Sequence, residues 1–293
     1  MAFATPFGTV AAICRMIKIE HSVFALPFAY VGAFMAHAAA GGHGMPSWSA
    51  LLALTVAMVA VRSFAMAFNR VADLRYDRLN PRTARRPLVT GEISPGQTWA
   101  FCAVTALIFV LACAALNTLC LQLAAPALCF AAGYSYLKRF TWLCHFWLGA
   151  TLGLAPLAGW IAVTPAFSLT PVLVFWGVTF WVAGFDIFYS CQDVDFDRAQ
   201  GLHSVPARFG LEQALTIAAF SHANTSVFLL LAGWSGGLSW SWYAVWAVIS
   251  GVLWLEHHWV KADDLSRVNM AFFTLNGVVS VAVLAGVLLG IYL

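Results

Sequence analysis

The fold class of this chain follows from two uncharged apolar stretches, AVTALIFVLACAAL at residues 103–116 and VVSVAVLAGVLLGIYL at residues 278–293. Neither stretch alternates apolar and polar residues in the way that the strands of a membrane barrel do. In lipid the backbone must satisfy its own hydrogen bonds, which leaves the helix as the structure for unbroken apolar runs. The two stretches therefore predict an all-α polytopic membrane protein.

The composition extends this interpretation to almost all of the 293 residues. Hydrophobic residues make up 62% of the chain and charged residues only 9%, whereas a soluble domain carries about 25% charged residues. No soluble core could bury so much apolar surface, so lipid must surround most of the chain. We expect the lipid bilayer as a partner and no nucleic acid.

The apolar stretches predict nine transmembrane helices, because a helix needs about twenty apolar residues to cross a bilayer. The predicted spans are centred near residues 30, 58, 106, 127, 152, 178, 222, 249 and 281. Alternate loops then contain no Lys or Arg, namely residues 38–48, 116–118, 164–170 and 233–241. All Lys and Arg residues except Arg62 fall at the opposite ends, which the positive-inside rule assigns to the cytoplasm. The sequence predicts one membrane domain over residues 1–293 with a cytoplasmic N-terminus.

A first acidic segment follows the second predicted span. Asn69, Asp73 and Asp77 stand four residues apart, so on a helix they form one stripe of oxygen ligands. Magnesium prefers oxygen and typically binds through one or two carboxylates plus substrate phosphates. These three residues are therefore predicted metal ligands.

A second acidic segment follows the sixth predicted span. Asp186, Asp193 and Asp197 stand at i, i+7 and i+11, within one arc of a helical face, whereas Asp195 would point away. The chain has only twelve acidic residues, so two such stripes on one predicted side are a strong concentration of charge. The second stripe is likewise predicted to bind metal.

Basic residues accompany both stripes. Arg78, Arg82 and Arg86 follow the first, and Arg198 and His203 follow the second. Carboxylates and guanidinium groups in one place are typical of a metal-bridged polyanion, because the metal takes some phosphate oxygens and arginine forks take others. The alternative is a wet loop whose charges pair among themselves. The matched placement of the two stripes favours the polyanion site.

Arg62 is the one basic residue inside a predicted span. A charge at membrane depth is costly and usually faces the interior of a helix bundle. Arg62 precedes Asn69 by seven residues, which puts the two on nearly the same helical face. We interpret Arg62 as a ligand-binding arginine, with a structural pairing to Glu20 as the alternative.

At these residues the chain resembles the UbiA superfamily of intramembrane prenyltransferases. The elements that carry the resemblance are Asn69-x-x-x-Asp73-x-x-x-Asp77, Arg82-Thr83, Arg86-Pro87-Leu88, Tyr134-x-x-x-Lys138-Arg139, Asp186-x-x-Tyr189-x-x-x-Asp193-x-x-x-Asp197, Gly201, Ser204 and Phe209-Gly210, with Arg62 ahead of the first motif. The chain departs from the family at Ala199 and His203, where lysine is common.

Two further stretches resemble a subgroup often described as 4-hydroxybenzoate polyprenyltransferase-like. They are GLHSVP at residues 201–206 and IKIEH at residues 17–21. Some members of the subgroup are assigned to the futalosine route to menaquinone. The resemblance therefore leaves the acceptor open between 4-hydroxybenzoate, for ubiquinone, and 1,4-dihydroxy-6-naphthoate, for menaquinone.

The resemblance implies nine helices around a central cavity in a bacterial inner membrane, with the active site toward the cytoplasm. A polyprenyl diphosphate would lie between the stripes and be bound through Mg²⁺. The implied diphosphate-binding residues are Arg78, Arg82, Arg86, Lys138, Arg198 and His203. The prenyl tail would contact apolar walls such as Phe24, Phe28, Phe180 and Trp181.

The resemblance also implies the roles in the reaction. Loss of pyrophosphate would leave an allylic cation, which the ring of an aromatic acid attacks. Arg62, Tyr134 and Tyr189 are the implied acceptor-binding residues, and Asp73, Asp193 and Arg62 are the implied catalytic ones. Asp193 and pyrophosphate itself are both candidates for the base that removes the ring proton.

The same residues are compatible with two other classes of protein, and another group of residues could form a second site. A transporter could carry Arg62 and Asp186 on a substrate path, and a CDP-alcohol phosphotransferase also uses aspartates at helical spacing. The latter would need a denser aspartate–glycine–alanine–arginine signature than this chain has. Glu256, His257 and His258 could form a metal site, but we interpret them as a wet loop end.

Overall fold

The computed structural model describes residues 6–18, 25–265, 268 and 275–293, so Glu20 and Phe24 lie outside the described residues. Within the described residues the chain is helical and forms no β-strand. Its α-helices are α1 (Pro6–Ile17), α2 (Leu26–Ala39), α3 (Trp48–Ala72), α4 (Leu74–Asp77), α5 (Pro87–Thr90), α6 (Pro95–Leu116), α7 (Thr118–Leu137), α8 (Cys144–Val163), α9 (Leu169–Ser190), α10 (Val194–Ala199), α11 (Val205–Phe209), α12 (Leu211–Ser235), α13 (Trp240–Trp259) and α14 (Asn276–Tyr292).

Every predicted span centre lies inside one of these helices. Six helices in the described ranges are long and apolar enough to cross a membrane, namely α3, α6, α7, α8, α12 and α9 with its extension to Ala199. Helices α2 and α14 are apolar but shorter. The 14 residues of α2 reach about 21 Å at 1.5 Å per residue, less than the roughly 30 Å of a hydrocarbon core. The all-α membrane fold is confirmed, while the count of nine spans and the cytoplasmic N-terminus remain predictions.

Polar caps decide where several long helices begin. Ser94 Oγ accepts a hydrogen bond from the Gln97 N–H, and the Gln97 side chain accepts one from the Ser94 N–H. This capping box starts α6. Asn117 Oδ1 accepts from the Cys120 N–H at 2.9 Å, which starts α7, and Asn117 Nδ2 donates to the Ile161 carbonyl at 2.8 Å. Asn117 therefore also ties the corner between α6 and α7 to the end of α8.

Glycines let α8 lie very close to its two neighbours, α2 and α9. A Cβ added at Gly159 would lie 1.8 Å from the Ala29 carbonyl oxygen of α2. A Cβ at Gly149 would lie 2.2 Å from the Thr179 carbonyl oxygen of α9. Small residues at such crossings are how membrane helices gain close packing without a hydrophobic driving force between them. The crossing with α9 also brings the first turn of α8 beside Asp186.

The interpretation of Glu256, His257 and His258 as a wet loop end is wrong for Glu256 and His257. These residues form the last turn of α13, and Glu256 is fully buried. The Nε2 atom of His257 lies 3.0 Å from Nδ1 of His222 in α12, and the His257 ring lies 4.8 Å from the ring of Phe188 in α9. Packing between α9, α12 and α13 buries Glu256 and half-buries His257, while His258 stays exposed; the charge pattern alone did not indicate this.

Candidate active site

The first acidic segment keeps its stripe although its helix breaks. Helix α3 ends at Ala72, Asp73 has φ −94° and ψ 4°, and α4 then begins at Leu74. The i to i+4 backbone bonds continue through the break, from Asp73 N–H to the Asn69 carbonyl at 2.9 Å and from Asp77 N–H to the Asp73 carbonyl at 2.8 Å. The side chains of the three residues therefore remain on one face, as expected.

The second acidic segment is also interrupted. Helix α9 ends at Ser190, a 3-10 turn covers Cys191–Asp193, and α10 begins at Val194. The continuous helix assumed from the spacing is therefore not present. Asp193 and Asp197 are nonetheless buried on one side, and Asp195 is exposed, as expected for a residue that points away.

The two segments meet around two adjoining polar cavities of about 130 and 200 Å³. The smaller polar cavity is lined by Asp73 and Asp77 of the first segment and by Asp193 and Asp197 of the second. The larger polar cavity is lined by Asp73, Asp193 and Asp186. The residues common to both cavities include Asn69, Asp73, Arg82, Lys138 and Asp193.

Two arginines that follow the first segment bind carboxylates of the site. Arg82 Nε donates to Asp193 Oδ1 at 3.0 Å and Arg82 Nη2 donates to Asp193 Oδ2, so the pair is bidentate. Asn80 Nδ2 donates to the same Asp193 Oδ1 at 3.2 Å. Arg86 Nη1 lies 2.7 and 2.6 Å from the two oxygens of Asp77. One arginine thus holds an aspartate of each segment, Arg82 through two nitrogens and Arg86 through Nη1 alone.

The end of α7 supplies two more cations. Lys138 Nζ lies 2.8 Å from Asp197 Oδ1, and Ser204 Oγ donates to Asp197 Oδ2 at 2.8 Å. Arg139 Nη2 lies 3.3 Å from Asp73 Oδ1. Lys138 of the predicted tyrosine–lysine element therefore lies at the site, and so does Arg139, which follows it.

The charges at the site alter the pKa values of two groups just beyond the spans. Burial, and after it the charge of Asp77, raises the pKa of Asp73 above its ordinary value, against the contacts with Arg139 and Asn69. Burial alone would lower the pKa of Lys138, but the charge and hydrogen bond of Asp197 outweigh it and raise the pKa. Lys138 therefore stays cationic. The ionised form of Asp73 is disfavoured, so a further positive charge nearby would stabilise it.

Asp186 has a different kind of partner. Its Oδ2 atom lies 2.6 Å from Nδ1 of His145, in the first turn of α8. His145 did not emerge from sequence reasoning, and the only signal was a single polar ring at the start of an apolar run. The close packing of α8 on α9 makes the contact.

An apolar cavity of about 220 Å³ adjoins the larger polar cavity, and both are lined by Tyr134 and Leu148. Arg62 lies in the wall of the apolar cavity and donates to the Ile17 and Lys18 carbonyls, each at 3.2 Å. These carbonyls end α1, where the helix dipole favours a cation. The predicted depth of Arg62 inside the bundle agrees with this position.

Three of the residues expected to form the tail walls, Phe28, Phe180 and Trp181, do not line this cavity, and Phe24 lies outside the described residues. Phe28 and Trp181 pack on each other in the core, with ring centroids 5.2 Å apart. Phe180 packs on Phe228 at 5.7 Å. The aromatic and sulfur-containing side chains that line the apolar cavity are Met58, Met66, Phe109, Tyr134 and Phe185. An apolar run does not reveal which of its residues face a cavity.

The structure brings some of the predicted diphosphate-binding residues together and leaves others apart. Arg82, Arg86 and Lys138 line the polar cavities. Arg78 and His203 are exposed and line neither polar cavity, and Arg198 donates to the Ala207 carbonyl at 3.2 Å. Tyr189 lines the larger polar cavity and its hydroxyl accepts from Arg82 Nη1 at 2.9 Å.

The oxygen donors fit magnesium that is bound together with a phosphate. Among the described residues, no three His, Cys, Asp or Glu side chains converge closely enough to hold a metal by themselves. Asp73 and Asp193, however, line both polar cavities. Magnesium typically takes only one or two carboxylates and completes its shell with phosphate oxygens and water.

Comparison with known proteins agrees with this geometry. The 4-hydroxybenzoate octaprenyltransferase of Herminiimonas arsenicoxydans is 28% identical over 84% of this chain and 86% of its own. The enzyme of the same name from Klebsiella pneumoniae is 30% identical over 79% of this chain and 80% of its own.

Solved structures show the same fold. A UbiA homologue from Aeropyrum pernix K1 superposes with a TM-score of 0.82 at 36% identity, over 92% of this chain and 98% of its own. A UbiA homologue from Archaeoglobus fulgidus, solved with DMAPP and Mg²⁺, gives a TM-score of 0.74 at 21% identity, over 95% and 98%. The profile of the UbiA prenyltransferase family matches residues 25–278. The chain therefore belongs to the UbiA prenyltransferase family and is a prenyltransferase rather than a transporter.

Proposed function

We propose that the protein catalyses the magnesium-dependent transfer of a polyprenyl group from polyprenyl diphosphate to an aromatic acid of the 4-hydroxybenzoate type. The observation that carries the proposal is the continuity of the cavities. The larger polar cavity contains aspartates of both acidic segments and shares Tyr134 and Leu148 with the apolar cavity that contains Arg62. A diphosphate, an allylic carbon and a carboxylate can thus occupy adjoining parts of the site.

The relatives support the same donor and acceptor. The two octaprenyltransferases are named for 4-hydroxybenzoate, and the Archaeoglobus structure contains a prenyl diphosphate with Mg²⁺. By analogy, Asn69, Asp73, Asp77, Asp193 and Asp197 are the proposed metal ligands of this chain. Asp186 was predicted with them, but its contact with His145 gives it a separate role, argued below.

The chain's own cations would bind the departing group. Arg82 and Lys138 line both polar cavities and are already oriented by carboxylates. When the diphosphate binds, these cations can donate to its oxygens with little change of side-chain conformation, because the carboxylates already orient them. Magnesium, when bound, would supply Lewis-acid stabilisation of the negative charge that develops on the diphosphate.

Arg62 is the proposed partner of the acceptor carboxylate. It lies two turns before Asn69 on α3, roughly 10 Å along the helix axis at 1.5 Å per residue. The contacts with the Ile17 and Lys18 carbonyls orient the guanidinium. A ring whose carboxylate meets Arg62 would direct its opposite edge toward the polar cavities, where the allylic cation forms. Tyr134, which lies at the border of both cavities, would contact the ring.

A second acceptor has support from the sequence. The stretches at residues 17–21 and 201–206 resemble the subgroup with members assigned to the futalosine route, which favours 1,4-dihydroxy-6-naphthoate as the alternative. Both acceptors carry a carboxylate and an electron-rich ring, so the same site chemistry serves either. The product would be a ubiquinone precursor in the first case and a menaquinone precursor in the second.

One prenyl-transfer assay on membranes that contain the protein tests the proposed function. The membranes are incubated with a long prenyl diphosphate and Mg²⁺, and with either 4-hydroxybenzoate or 1,4-dihydroxy-6-naphthoate. We expect prenylated product and pyrophosphate with one acid, and neither product after chelation of Mg²⁺ with EDTA. Product formation that continues in EDTA, or its absence with both acids, would contradict the proposal.

The proposed setting is a bacterial inner membrane with the site on the cytoplasmic side. Reporters fused after Arg86 and after Asp264 should then indicate the cytoplasm, and a reporter after Gly237 the opposite side. This placement follows from the distribution of Lys and Arg. If any of the three reporters indicated the opposite side, the nine-span orientation would be wrong, but the proposed chemistry would be unaffected.

A further inference from the structure

One carboxylate of the two acidic segments is held differently from the others. Asp73, Asp77, Asp193 and Asp197 each pair with an Arg or Lys side chain. Among the described residues Asp186 pairs with no Lys or Arg, and its partner is His145. The side chain of His145 is 2% exposed, so the surrounding helices fix the ring.

The hydrogen bonds of His145 determine its protonation. The backbone N–H of Val205 donates to Nε2 of His145 at 3.1 Å, so Nε2 is an acceptor and carries no proton. The proton must then be on Nδ1, which donates to Asp186 Oδ2. In this state His145 is neutral, and Asp186 receives a hydrogen bond without a compensating positive charge.

The far side of His145 contacts the start of α11, which is hydrogen-bonded to the site. Val205 begins α11, and Ser204, its N-cap, donates to Asp197. The His203 N–H donates to the Lys138 carbonyl at 2.7 Å. His145 is thus bonded to backbone that is itself hydrogen-bonded to Asp197 of the second acidic segment.

Asp186 lies where the acceptor would meet the polar cavities. It lines the larger polar cavity with Tyr134, which also lines the apolar cavity. Its side chain is 25% exposed toward that space. Within the described part of the chain only Oδ2 of Asp186 has a hydrogen-bond partner. A carboxylate oxygen in this position is suited to accept a hydrogen bond from a hydroxyl of a bound ring.

We infer that His145 is a positioning residue that holds Asp186 as the hydrogen-bond acceptor for a hydroxyl group of the aromatic acceptor. Arg62 would then bind the carboxylate at one end of the ring and Asp186 the hydroxyl at the other. This inference rests on the proposed function, and it separates Asp186 from the predicted metal ligands. The pair would select hydroxylated acids, because a bound ring that buries the Asp186 carboxylate without donating a hydrogen bond to it is costly.

Two substitutions of His145 separate its two hydrogen bonds. Asparagine places its amide near the position of Nδ1, so His145→Asn can still donate to Asp186 but loses the contact with Val205. Glutamine places its amide near the position of Nε2, so His145→Gln can still accept from Val205 but loses the donor to Asp186. The two variants therefore differ in the contact that the inference requires.

The readout is equilibrium binding by calorimetry on purified protein with Mg²⁺ and a non-reactive prenyl thiolodiphosphate. The probes are 4-hydroxybenzoate against benzoate, and 1,4-dihydroxy-6-naphthoate against 2-naphthoate. For one of the pairs the native protein should prefer the hydroxylated acid by about tenfold to a hundredfold, as for a hydrogen bond to a charged group. His145→Gln should bring this ratio near one. His145→Asn should keep most of it while melting at a lower temperature.

A matched control is His222→Gln. His222 is also 2% exposed but lines none of the three cavities described above, so its variant should keep the native binding ratio. A ratio that His145→Gln leaves unchanged overturns the inference. A higher Mg²⁺ requirement in His145→Gln with an unchanged ratio also overturns it, and makes Asp186 a metal ligand. Native protein that binds neither hydroxylated acid overturns the proposed function instead.

Discussion

The first and second acidic segments use similar residues but assemble in different ways. Within the first, Asn69 contacts Asp73 four residues away and Arg86 contacts Asp77 nine residues away. The second depends on distant residues, since Arg82 is 111 residues from Asp193 and His145 is 41 residues from Asp186. The first segment also has a long-range contact, from Arg139 to Asp73, which are 66 residues apart.

This difference indicates which contacts hold each acidic segment in place. The first segment can order much of itself as α3 and α4 form, because its contacts span only a few turns. The second segment is defined only when α7, α8 and the loop after α4 are in place. A substitution in the second segment should therefore affect both chemistry and tertiary stability, and one in the first should affect mainly chemistry.

The largest expected effect tests the chemistry that the two segments share. Asp73→Ala and Asp193→Ala should each lower kcat/KM by about 10²–10³-fold, the order seen when one preorganised electrostatic group is removed. Prenyl transfer is measured in membranes at controlled Mg²⁺. Asp193→Ala should also lower the melting temperature more than Asp73→Ala, because it leaves Arg82 and Asn80 without their partner. Near-native activity in either variant would contradict the role of both segments.

A somewhat smaller effect tests the bridge between the segments. Arg82→Ala should raise the KM for prenyl diphosphate by about 10–100-fold, as for loss of a supporting residue at a metal site. Arg82→Lys should restore only part of the loss, since an ammonium lacks the bidentate fork. The control is Arg78→Ala, which removes an exposed arginine of the same loop that lines neither polar cavity. Equal losses at both positions would mean that general positive charge, and not the bridge, binds the diphosphate.

Arg62 tests whether the helix that carries the first segment also binds the acceptor. Arg62→Ala should raise the acceptor KM or lower kcat by roughly tenfold, the order of one charge-assisted hydrogen bond, and leave binding of prenyl diphosphate nearly intact. Arg62→Lys should recover part of the function. Loss of folded protein in both variants would instead indicate a structural arginine that ends α1. Equal weakening of both substrates would assign Arg62 to the diphosphate.

The smallest effect sharpens the view that the second segment depends on distant contacts. Ser204→Ala removes the N-cap of α11 and the hydrogen bond to Asp197, and should cost about 0.5–2 kcal/mol of stability. Ser94→Ala removes a comparable cap from α6, away from the site, at a similar cost. Only Ser204→Ala should also raise the Mg²⁺ concentration needed for half-maximal activity. If both variants had the same Mg²⁺ dependence, this would contradict the view that the hydrogen bond from Ser204 of α11 to Asp197 supports metal binding by the second acidic segment.

The helical membrane fold and the first acidic stripe could be predicted from the sequence alone. Unbroken apolar runs leave the backbone no structure but helix, so every predicted span centre fell within a helix. The spacing of Asn69, Asp73 and Asp77 sufficed to put them on one face, because the i to i+4 bonds persist through the break at Asp73. Charges are so rare in this chain that their local pattern carried most of the information about the site.

The sequence did not predict which side chains meet, because this depends on how the helices pack. His145 and Asn80 reach the site through crossings of distant segments, and nothing in their neighbouring residues indicates a partner. Arg78 and Arg198 each directly follow a buried stripe aspartate in sequence, yet both are exposed and line neither polar cavity. Local spacing fixes a face within one helix, but the contacts between faces depend on close approaches such as that of Gly149 to Thr179, which exist only in the packed bundle.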